Sequence, residues 1–187
     1  MKKDIIEYLD IYDEHGYPTG EVETYDYVHF HGLLHKTVHV WIINSAGQIL
    51  LQKRVKTMKA FPSLYDISAS GHISSGDTSR QAANGETKTE VGLDLPTSAF
   101  IFLGMIRQSI RKHDGGKFID NEWNDIYVAF APDDYSIPPI ESLDGEVEEL
   151  RWISQSEFKE WIKENGEILV PHDEEYQMLL KYLENQR

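Results

Sequence analysis

Residues 71–93 read GHISSGDTSRQAANGETKTEVGL, a glycine-containing loop followed by the pattern of a helix. Asp77, Thr78 and Ser79 are residue types that favour the N-cap of a helix. Gly92 stands at the other end of the pattern, and glycine is the residue that most often stops a helix. This segment therefore predicts one loop and one helix, and we expect the rest of the fold to be arranged around it.

Two glutamates inside the predicted helix carry its chemistry. Glu86 and Glu90 are four residues apart, so they lie on the same face of a helix, and the small Ala82 lies one turn earlier on that face. The two carboxylates repel one another unless a cation lies close to both. We interpret them either as part of a solvent-exposed acidic surface or as oxygen ligands of a divalent cation.

The segment resembles the Nudix box, the signature of hydrolases that cleave a diphosphate joined to another group. That signature is Gly, five residues, Glu, seven residues, Arg-Glu, an aliphatic residue, any residue, Glu-Glu, any residue, Gly and an aliphatic residue. The positions that match it here are Gly71, Asp77 (in place of the first Glu), Glu86, Glu90 and Gly92-Leu93. Every spacing of the signature is preserved.

Three positions depart from the signature. Gly85 stands where the family has Arg, Thr87 replaces an aliphatic residue, and Thr89 replaces the first Glu of the pair. In the family that Arg holds the neighbouring Glu in place and that Glu helps to bind metal. A glycine inside a helix also costs about 1 kcal/mol relative to alanine. The resemblance thus implies the fold, while the departures leave open a protein that binds a ligand without cleaving it.

The fold that the resemblance implies is the Nudix α/β/α sandwich, an α+β fold with a mixed sheet. The periodicity of the sequence agrees, because it alternates β-hairpins with three helices. We expect a single Nudix domain over residues 1–187, with an N-terminal β-hairpin at about 5–23, a core at about 30–165 and a C-terminal helix at about 173–185. Within the core, residues 99–112 and 118–131 predict two long paired strands, with a bulge at Gly104.

A second resemblance narrows the branch of the family. Residues 9–20, LDIYDEHGYPTG, resemble the N-terminal hairpin of a Nudix branch that contains the type 1 isopentenyl-diphosphate isomerases and many hydrolases of unassigned substrate. By that resemblance, His35 and His72 fall where the isomerases have metal-binding histidines. Asp120 and Glu122 fall where the isomerases have acidic residues that complete the metal site.

Each of these residues also has a plainer interpretation. Residues 24–40 are rich in histidine, and they are interpreted either as a source of two imidazole ligands or as a loop that enters a strand. Alternation places Asp120 and Glu122 on one face of a strand, yet acidic residues at the start of a strand are usually solvated. Lys53 and Arg54 end a predicted strand, where they serve either to bind phosphate or as ordinary charged residues of a loop.

The function expected first is metal-dependent hydrolysis of a diphosphate linked to an organic group. Glu86, Glu90 and Glu122 would bind Mg²⁺ or Mn²⁺, and Glu86 or Glu122 would act as the general base. Lys53 and Arg54 would bind the phosphates of the small-molecule substrate. A catalytically inactive ligand-binding module is the alternative.

Isomerisation of isopentenyl diphosphate is the least favoured function. The isomerases have an acid–base Cys just before the Gly-His of the box, and that position is Ser70 here. A hydroxyl group is a poor proton donor and acceptor near neutral pH, because its pKa is far higher than that of a thiol.

Composition excludes several other classes of function. A chain with a net charge of −14 lacks the basic surface that a nucleic-acid backbone requires, so we expect no nucleic-acid polymer as partner. No apolar run approaches the ~18 to 20 residues that span a bilayer, so we expect no membrane association. With no Cys in the chain there is no disulfide and no thiolate nucleophile. Because no secretion signal is recognised, we expect a cytoplasmic protein, and the resemblance implies a homodimer as one expected assembly.

Overall fold

The chain starts with a β-hairpin and a short helix. The computed structural model describes residues 6–108, 110–164 and 167–186. Strands β1 (Tyr8–Tyr12) and β2 (Pro18–Thr24) pair in antiparallel fashion, which confirms the predicted N-terminal hairpin. Helix α1 (Tyr25–His31) follows directly. Of the two interpretations of the histidine-rich residues 24–40, a loop that enters a strand does not fit Tyr25–His31, because these seven residues form a helix that packs beside the hairpin.

Nine more strands follow, and seven of them form the main sheet. In chain order they are β3 (His35–Ile43), β4 (Ile49–Arg54), β5 (Tyr65–Asp66), β6 (Ala69–His72), β7 (Ile101–Arg107), β8 (Arg111–His113), β9 (Phe118–Asp120), β10 (Glu122–Phe130) and β11 (Val147–Ile153). The main sheet has the order β11-β4-β3-β10-β7, with β5 paired to β4 and β6 paired to β3. Because β10 runs parallel to β3 while the other pairs are antiparallel, the sheet is mixed.

Helices cover both faces of this sheet, as the predicted sandwich requires. Helix α2 (Ser79–Val91) lies on one face, and α3 (Gln155–Lys163) and α4 (Asp173–Glu184) lie on the other. Residues on β3 alternate between the two cores: Val38 and Val40 pack towards α2, whereas Trp41 packs towards α3 and α4. Because helices cover both faces of the sheet, β3 is buried at every residue from Val38 to Ile43, and each of these residues except His39 is apolar. The α+β sandwich is thereby confirmed.

Two predicted strands are interrupted where the sequence suggested continuous ones. The strand expected over residues 99–112 ends at Arg107, and its partner is divided at Asn121 into β9 and β10. The pieces β8 and β9 pair with each other as a separate two-stranded sheet. Residue 109 lies outside the described residues. The register between β7 and β10 shifts beside Gly104, as the predicted bulge requires.

The arrangement of β3 and β4 opens the sheet at one end. These neighbours pair at Ile43 and Ile49 and then diverge, with the short strands β5 and β6 between them. Side chains at the divergent ends therefore face open space rather than a neighbouring strand. The candidate site lies here.

Candidate active site

A cleft of about 760 Å³ lies at the open end of the sheet. It is bordered by β3, β4, β5 and β6, by α2, by the β8–β9 hairpin and by the segment that leads into α4. The predicted site residues that line it are Arg54, His72, Glu86, Glu90, Asp120 and Glu122. Residues far apart in sequence are thus brought to one cavity.

Helix α2 presents its two glutamates to the cleft, as their spacing predicts. Of the three residues expected to favour the N-cap, Thr78 takes the position, and it forms a capping box with Gln81. The helix ends at Gly92, whose φ of 68° lies in the left-handed region that favours glycine. The local sequence therefore sets both ends of the helix that carries Glu86 and Glu90.

Glu90 is held in one orientation. Its Oε2 accepts hydrogen bonds from the backbone N–H of Ser70 (2.7 Å) and from Nε2 of Gln52 (3.0 Å). Burial, and then the charge of Glu86, raise the pKa of Glu90 well above its ordinary value. A buried carboxylate of this kind is stabilised in its charged form by a cation, which makes Glu90 suitable as a metal ligand.

Glu86 lies against the backbone of the glycine that opens the box. A Cβ atom at position 71 would be 2.3 Å from the carboxyl carbon of Glu86, so only glycine permits this approach. Burial raises the pKa of Glu86 to about 8, and the charges of Asp144 and Glu146 add to the shift. Glu86 therefore retains a proton at neutral pH unless a positive charge lies beside it.

The departures from the signature are accommodated without strain. Thr87 is buried, and its hydroxyl donates a 2.7 Å hydrogen bond to the Ala83 carbonyl. Thr89 is exposed, and its hydroxyl bonds to backbone carbonyls one turn earlier. Gly85 is exposed and has no atom within 4 Å of the place where a Cβ would be. The helix is thus intact, although it has fewer carboxylates than the signature.

Three histidines from α1, β3 and β6 meet at one end of the cleft. One ring nitrogen from each of His29, His35 and His72 lies within 4.8 Å of the other two. His35 donates from Nδ1 to the Leu33 carbonyl (2.9 Å), and His29 donates from Nδ1 to the Ile119 carbonyl (3.2 Å). Both rings therefore offer Nε2 to the cluster, where Nε2 of His29 is 3.1 Å from Nε2 of His72.

These nitrogens have the properties of metal ligands. Burial lowers the pKa of His29 to about 4 and that of His72 to about 3, and the proximity of His35 contributes to both shifts. The Nε2 atom of His35 is buried and has no hydrogen-bond partner among the described residues. A neutral imidazole with a free nitrogen, oriented by a bond from its other nitrogen to a carbonyl, is the form that coordinates metal.

Two carboxylates complete this group. Oε1 of Glu122 is 3.5 Å from Nε2 of His35, and Oδ1 of Asp120 is 3.5 Å from Nδ1 of His29. Burial raises the pKa of Glu122, but the histidines, His35 foremost, outweigh burial and lower it to about 2. Burial and the charge of Glu122 raise the pKa of Asp120 to about 6. An ionised carboxylate thus joins three imidazoles.

The predicted metal set is divided by the structure. Within residues 6–108, 110–164 and 167–186, no group of donors lying within 4.8 Å of one another combines Glu86, Glu90 and Glu122. Glu122 belongs with the histidines, while the other two lie on α2. The sequence singles out His35 and His72 by resemblance but not His29, which the structure places beside both of them.

The basic residues of the cleft differ from those expected. Of the two interpretations of Lys53, the structure favours an ordinary charged residue, because its Nζ pairs with Glu148 (2.9 Å) and it is not among the residues that line the cleft. Consecutive residues of a strand point to opposite faces, so Lys53 and Arg54 cannot both face the cavity. Arg54 does line it, but its Nη1 donates to Asp66 (3.0 Å). Lys59 and Arg111 are further cations of the lining.

A separate pair of histidines, His39 and His172, also lines the cleft. His39 donates from Nδ1 to Oε2 of Glu175 (2.7 Å), whose Oε1 accepts from the Trp41 indole (2.7 Å). His172 lies 5.2 Å from His39 between ring centres and donates from Nε2 to Asp66 (3.1 Å). No sequence pattern indicated this network, because its members come from β3, β5 and the start of α4.

Comparison with known proteins agrees with this architecture. The family model described as NUDIX domain matches residues 33–172. "Nudix hydrolase 3" of Arabidopsis thaliana is 33% identical over 168 residues, which are 89% of this chain and 22% of the plant protein. An isopentenyl-diphosphate Delta-isomerase of Citrobacter koseri is 24% identical over 176 residues, which are 94% of this chain and 96% of that protein. The crystal structure of DR0079 from Deinococcus radiodurans superposes with a TM-score of 0.63 at 16% identity, over 94% of this chain and 99% of that one.

The chain therefore belongs to the Nudix family, and its relatives include both hydrolases and isomerases of the branch that its N-terminal hairpin resembles. Only about a fifth of the plant relative is matched. Across the described residues, no helix combines the length and the apolar character that crossing a bilayer requires.

Proposed function

We propose that this chain is a metal-dependent hydrolase that cleaves a diphosphate joined to an organic group. The observation that carries the proposal is the buried Nε2 atom of His35, which has no hydrogen-bond partner within the described chain and lies among His29, His72 and Glu122, with Oε1 of Glu122 at 3.5 Å. Burying an unpaired polar atom costs free energy. A cation at this point would remove that cost, and the cleft beside it has room for a small substrate.

The donor set suggests which metals would bind. Imidazole nitrogens suit Mn²⁺ and the later transition metals, whereas a set of carboxylates alone suits Mg²⁺ or Mn²⁺. We therefore assign Mn²⁺ to the histidine group and Mg²⁺ or Mn²⁺ to Glu86 and Glu90. When bound, such ions neutralise phosphate oxygens and lower the pKa of the attacking water.

Side chains of the cleft would supply the general base and the positive charges that attract the phosphates. Glu86 or Glu122, carboxylates that both line the cleft, would act as the general base in its ionised form. Lys59 and Arg111 line the cleft and attract the phosphates. Arg54 is held by Asp66 and contributes its charge from a fixed position.

The test is release of phosphate or pyrophosphate from a panel of nucleoside diphosphate derivatives and prenyl diphosphates. Each is assayed with Mg²⁺, with Mn²⁺ and with EDTA, and the Glu90→Gln variant is assayed beside the unaltered protein. The amide of the variant still accepts hydrogen bonds from Ser70 and Gln52, so the fold is kept while the charge is lost. We expect metal-dependent release that falls about a hundredfold in the variant; unchanged release would remove Glu90 from the site.

The departures at Gly85 and Thr89 favour one other candidate, a Nudix-fold module that binds its ligand without cleaving it. Such a module would show an increase in melting temperature with members of the panel, but no release under any metal condition. The double variant Gly85→Arg with Thr89→Glu restores the Arg and the first Glu of the Glu-Glu pair in the signature, and the space around Gly85 admits the change. A gain of turnover in that variant would mean that the site is a weakened hydrolase rather than a binding module.

A further inference from the structure

Two polar side chains lie buried in the main sheet beside Glu122. Thr37 on β3 and Asn124 on β10 are Cα partners in the parallel register, and their exposed fractions are only 4% and 2%. A strand that is covered on both faces is ordinarily apolar, because a buried polar group costs free energy unless it is hydrogen-bonded. A buried Thr–Asn pair at this place therefore points to a role beyond packing.

The pair begins a row of hydrogen bonds that ends at Glu122. The Thr37 hydroxyl is 3.1 Å from Oδ1 of Asn124, and Nδ2 of Asn124 is 3.1 Å from Oε1 of Gln108. Nε2 of Gln108 is in turn 3.2 Å from Oε2 of Glu122, and both of these residues line the cleft. We refer to Thr37, Asn124 and Gln108 as the polar row.

The carboxylate at the end of the polar row fixes the orientation of every member. An ionised carboxylate only accepts hydrogen bonds, so the amide N–H group of Gln108 faces Glu122. Oε1 of Gln108 then faces Asn124 and accepts from its Nδ2, which leaves Oδ1 of Asn124 to accept from the Thr37 hydroxyl. All three bonds run in one direction, and each polarises the next towards Glu122.

The backbone of Gln108 is also bound to that of Glu122. The N–H group of Gln108 donates to the carbonyl of Glu122 (3.0 Å), and the carbonyl of Gln108 accepts from Nη1 of Arg107 (2.7 Å). The same Nη1 lies 3.2 Å from the Glu122 carbonyl. The place of Gln108 relative to Glu122 is thus set by backbone groups as well as by the side-chain bond.

The polar row occupies one oxygen of Glu122 and leaves the other to the histidines. Oε2 accepts from Gln108, while Oε1 lies 3.5 Å from the unpartnered Nε2 atom of His35. The register explains this division, because His35 pairs with Glu122 just as Thr37 pairs with Asn124 two residues further along. Side chains two residues apart in a strand point to the same face, so both pairs lie on one face of the sheet.

We propose that Gln108, supported by Asn124 and Thr37, is a positioning residue that orients Glu122 so that Oε1 binds the metal of the histidine group. The proposal rests on the proposed function, which places a cation among these imidazoles. A carboxylate that is held at one oxygen presents the other in a fixed direction, so less conformational freedom is lost when a cation binds. A row that served packing alone could be replaced by apolar side chains without a change in metal affinity.

The test is isothermal titration with Mn²⁺, beside urea denaturation in EDTA, which measures stability apart from the metal. The binding step to follow is the one that His35→Asn weakens. Gln108→Leu removes the N–H group that holds Glu122, and we expect it to weaken Mn²⁺ binding at that step about 10- to 100-fold. Gln48→Leu is the matched control, because Gln48 is also partly buried and bonded to a side chain, that of Asn44, but at the closed end of the sheet. It should bind Mn²⁺ as the unaltered protein does.

A second comparison separates positioning from support of the fold. If Asn124 acts through Gln108, Asn124→Leu weakens Mn²⁺ binding on its own but causes no further loss when it is added to Gln108→Leu. Additive losses would overturn the polar row. We expect Thr37→Val to weaken binding about threefold, and Thr37→Ser, which keeps the hydroxyl, to restore it. Where Asn124→Leu does not fold in EDTA, the two Thr37 variants decide the point.

The remaining outcomes separate the positioning role from the enzyme. An unchanged Mn²⁺ affinity in Gln108→Leu, with only the free energy of unfolding lowered, would show that the polar row supports the fold and would overturn the proposal. The absence of any Mn²⁺ step that responds to His35→Asn would overturn it as well, together with the metal of the proposed function. If Mn²⁺ binding responds to Gln108→Leu but no diphosphate is hydrolysed, the proposed function fails while the positioning role stands.

Discussion

Two groups of histidines meet at the same cleft, and in one the pKa values of His29 and His72 are lowered, whereas in the other the pKa of His39 is raised. Burial is the largest effect on the pKa values of His29 and His72, and it outweighs the opposing charge of Glu122, so both pKa values are lowered and the rings are neutral. His39 is in direct contact with the buried carboxylate of Glu175, which raises the pKa of His39. One residue type is thus held neutral in one place and favours its charged form in the other. What a histidine can do is set by its second ring nitrogen and by the group that this nitrogen contacts.

We expect the largest effect from a substitution in the group of His29, His35 and His72, where Mn²⁺ affinity is the quantity that changes. His35→Asn keeps a donor for the Leu33 carbonyl but removes Nε2, the unpaired atom of the cluster. We expect Mn²⁺ affinity to fall about thousandfold, or about 4 kcal/mol, which exceeds the roughly 10- to 100-fold cost of losing a supporting residue. Isothermal titration with Mn²⁺ measures it, with His15→Asn as the control. An unaltered Mn²⁺ affinity would show that the three histidines are a structural cluster.

A substitution in the second group, at the contact between His39 and Glu175, should alter the free energy of unfolding rather than metal affinity. Glu175→Gln leaves His39 without its counter-charge, and we expect a loss of about 3 kcal/mol in the free energy of unfolding. The raised pKa of His39 gives stability that is complete below about pH 6.5 and is lost as pH rises through its folded value. The lowered pKa of Glu175 gives stability that is complete above about pH 4.5 and is lost as pH falls.

The difference in the free energy of unfolding between the unaltered protein and Glu175→Gln should therefore be greatest between about pH 4.5 and 6.5. Urea denaturation at a series of pH values measures the difference. A constant difference across the whole range would mean that the His39–Glu175 contact is a hydrogen bond without ionised partners rather than an ion pair.

Glu86 allows a finer test of the metal-free cleft. Its pKa is about 8 in the folded chain, against an ordinary value of 4.5, so the folded chain binds the proton more tightly and the unaltered protein loses stability as pH rises between these values. Glu86→Gln removes this loss. In EDTA we expect the variant to be more stable than the unaltered protein by about 2 kcal/mol near pH 8, and by much less near pH 5. Thermal melts follow the change, and addition of Mn²⁺ should reverse the order near pH 8.

The smallest effect concerns the glycine inside the box helix. Gly85→Ala adds a methyl group where no atom lies within 4 Å and removes the conformational freedom of glycine in the unfolded chain. We expect a gain of about 1 kcal/mol without a change in metal affinity. A loss of stability on urea denaturation would mean that the backbone at Gly85 is under a constraint that the helix does not show.

The two regions also differ in how far the sequence could predict them. Glu86 and Glu90 lie on one helix, so their proximity follows from the 3.6-residue period alone. His35, His72, Asp120 and Glu122 were marked only by resemblance to the isomerase branch, because their proximity depends on β3, β6 and β10 meeting in one sheet. His172 and Glu175 were not marked at all. They reach the cleft because the start of α4 packs below the open end of the sheet, a long-range contact without a sequence period.

The sequence by itself determined the box helix and its ends, the N-terminal hairpin, the alternation of strands and the α/β/α class. These are consequences of local capping and of hydrophobic periodicity, which act over a few residues. Tertiary structure decided that α1 is helical, that Lys53 faces Glu148 rather than the cleft, and which histidines meet a carboxylate and which meet one another. The physical reason is that burial and charge act through space. The pKa of each histidine therefore depends on neighbours that are distant along the chain.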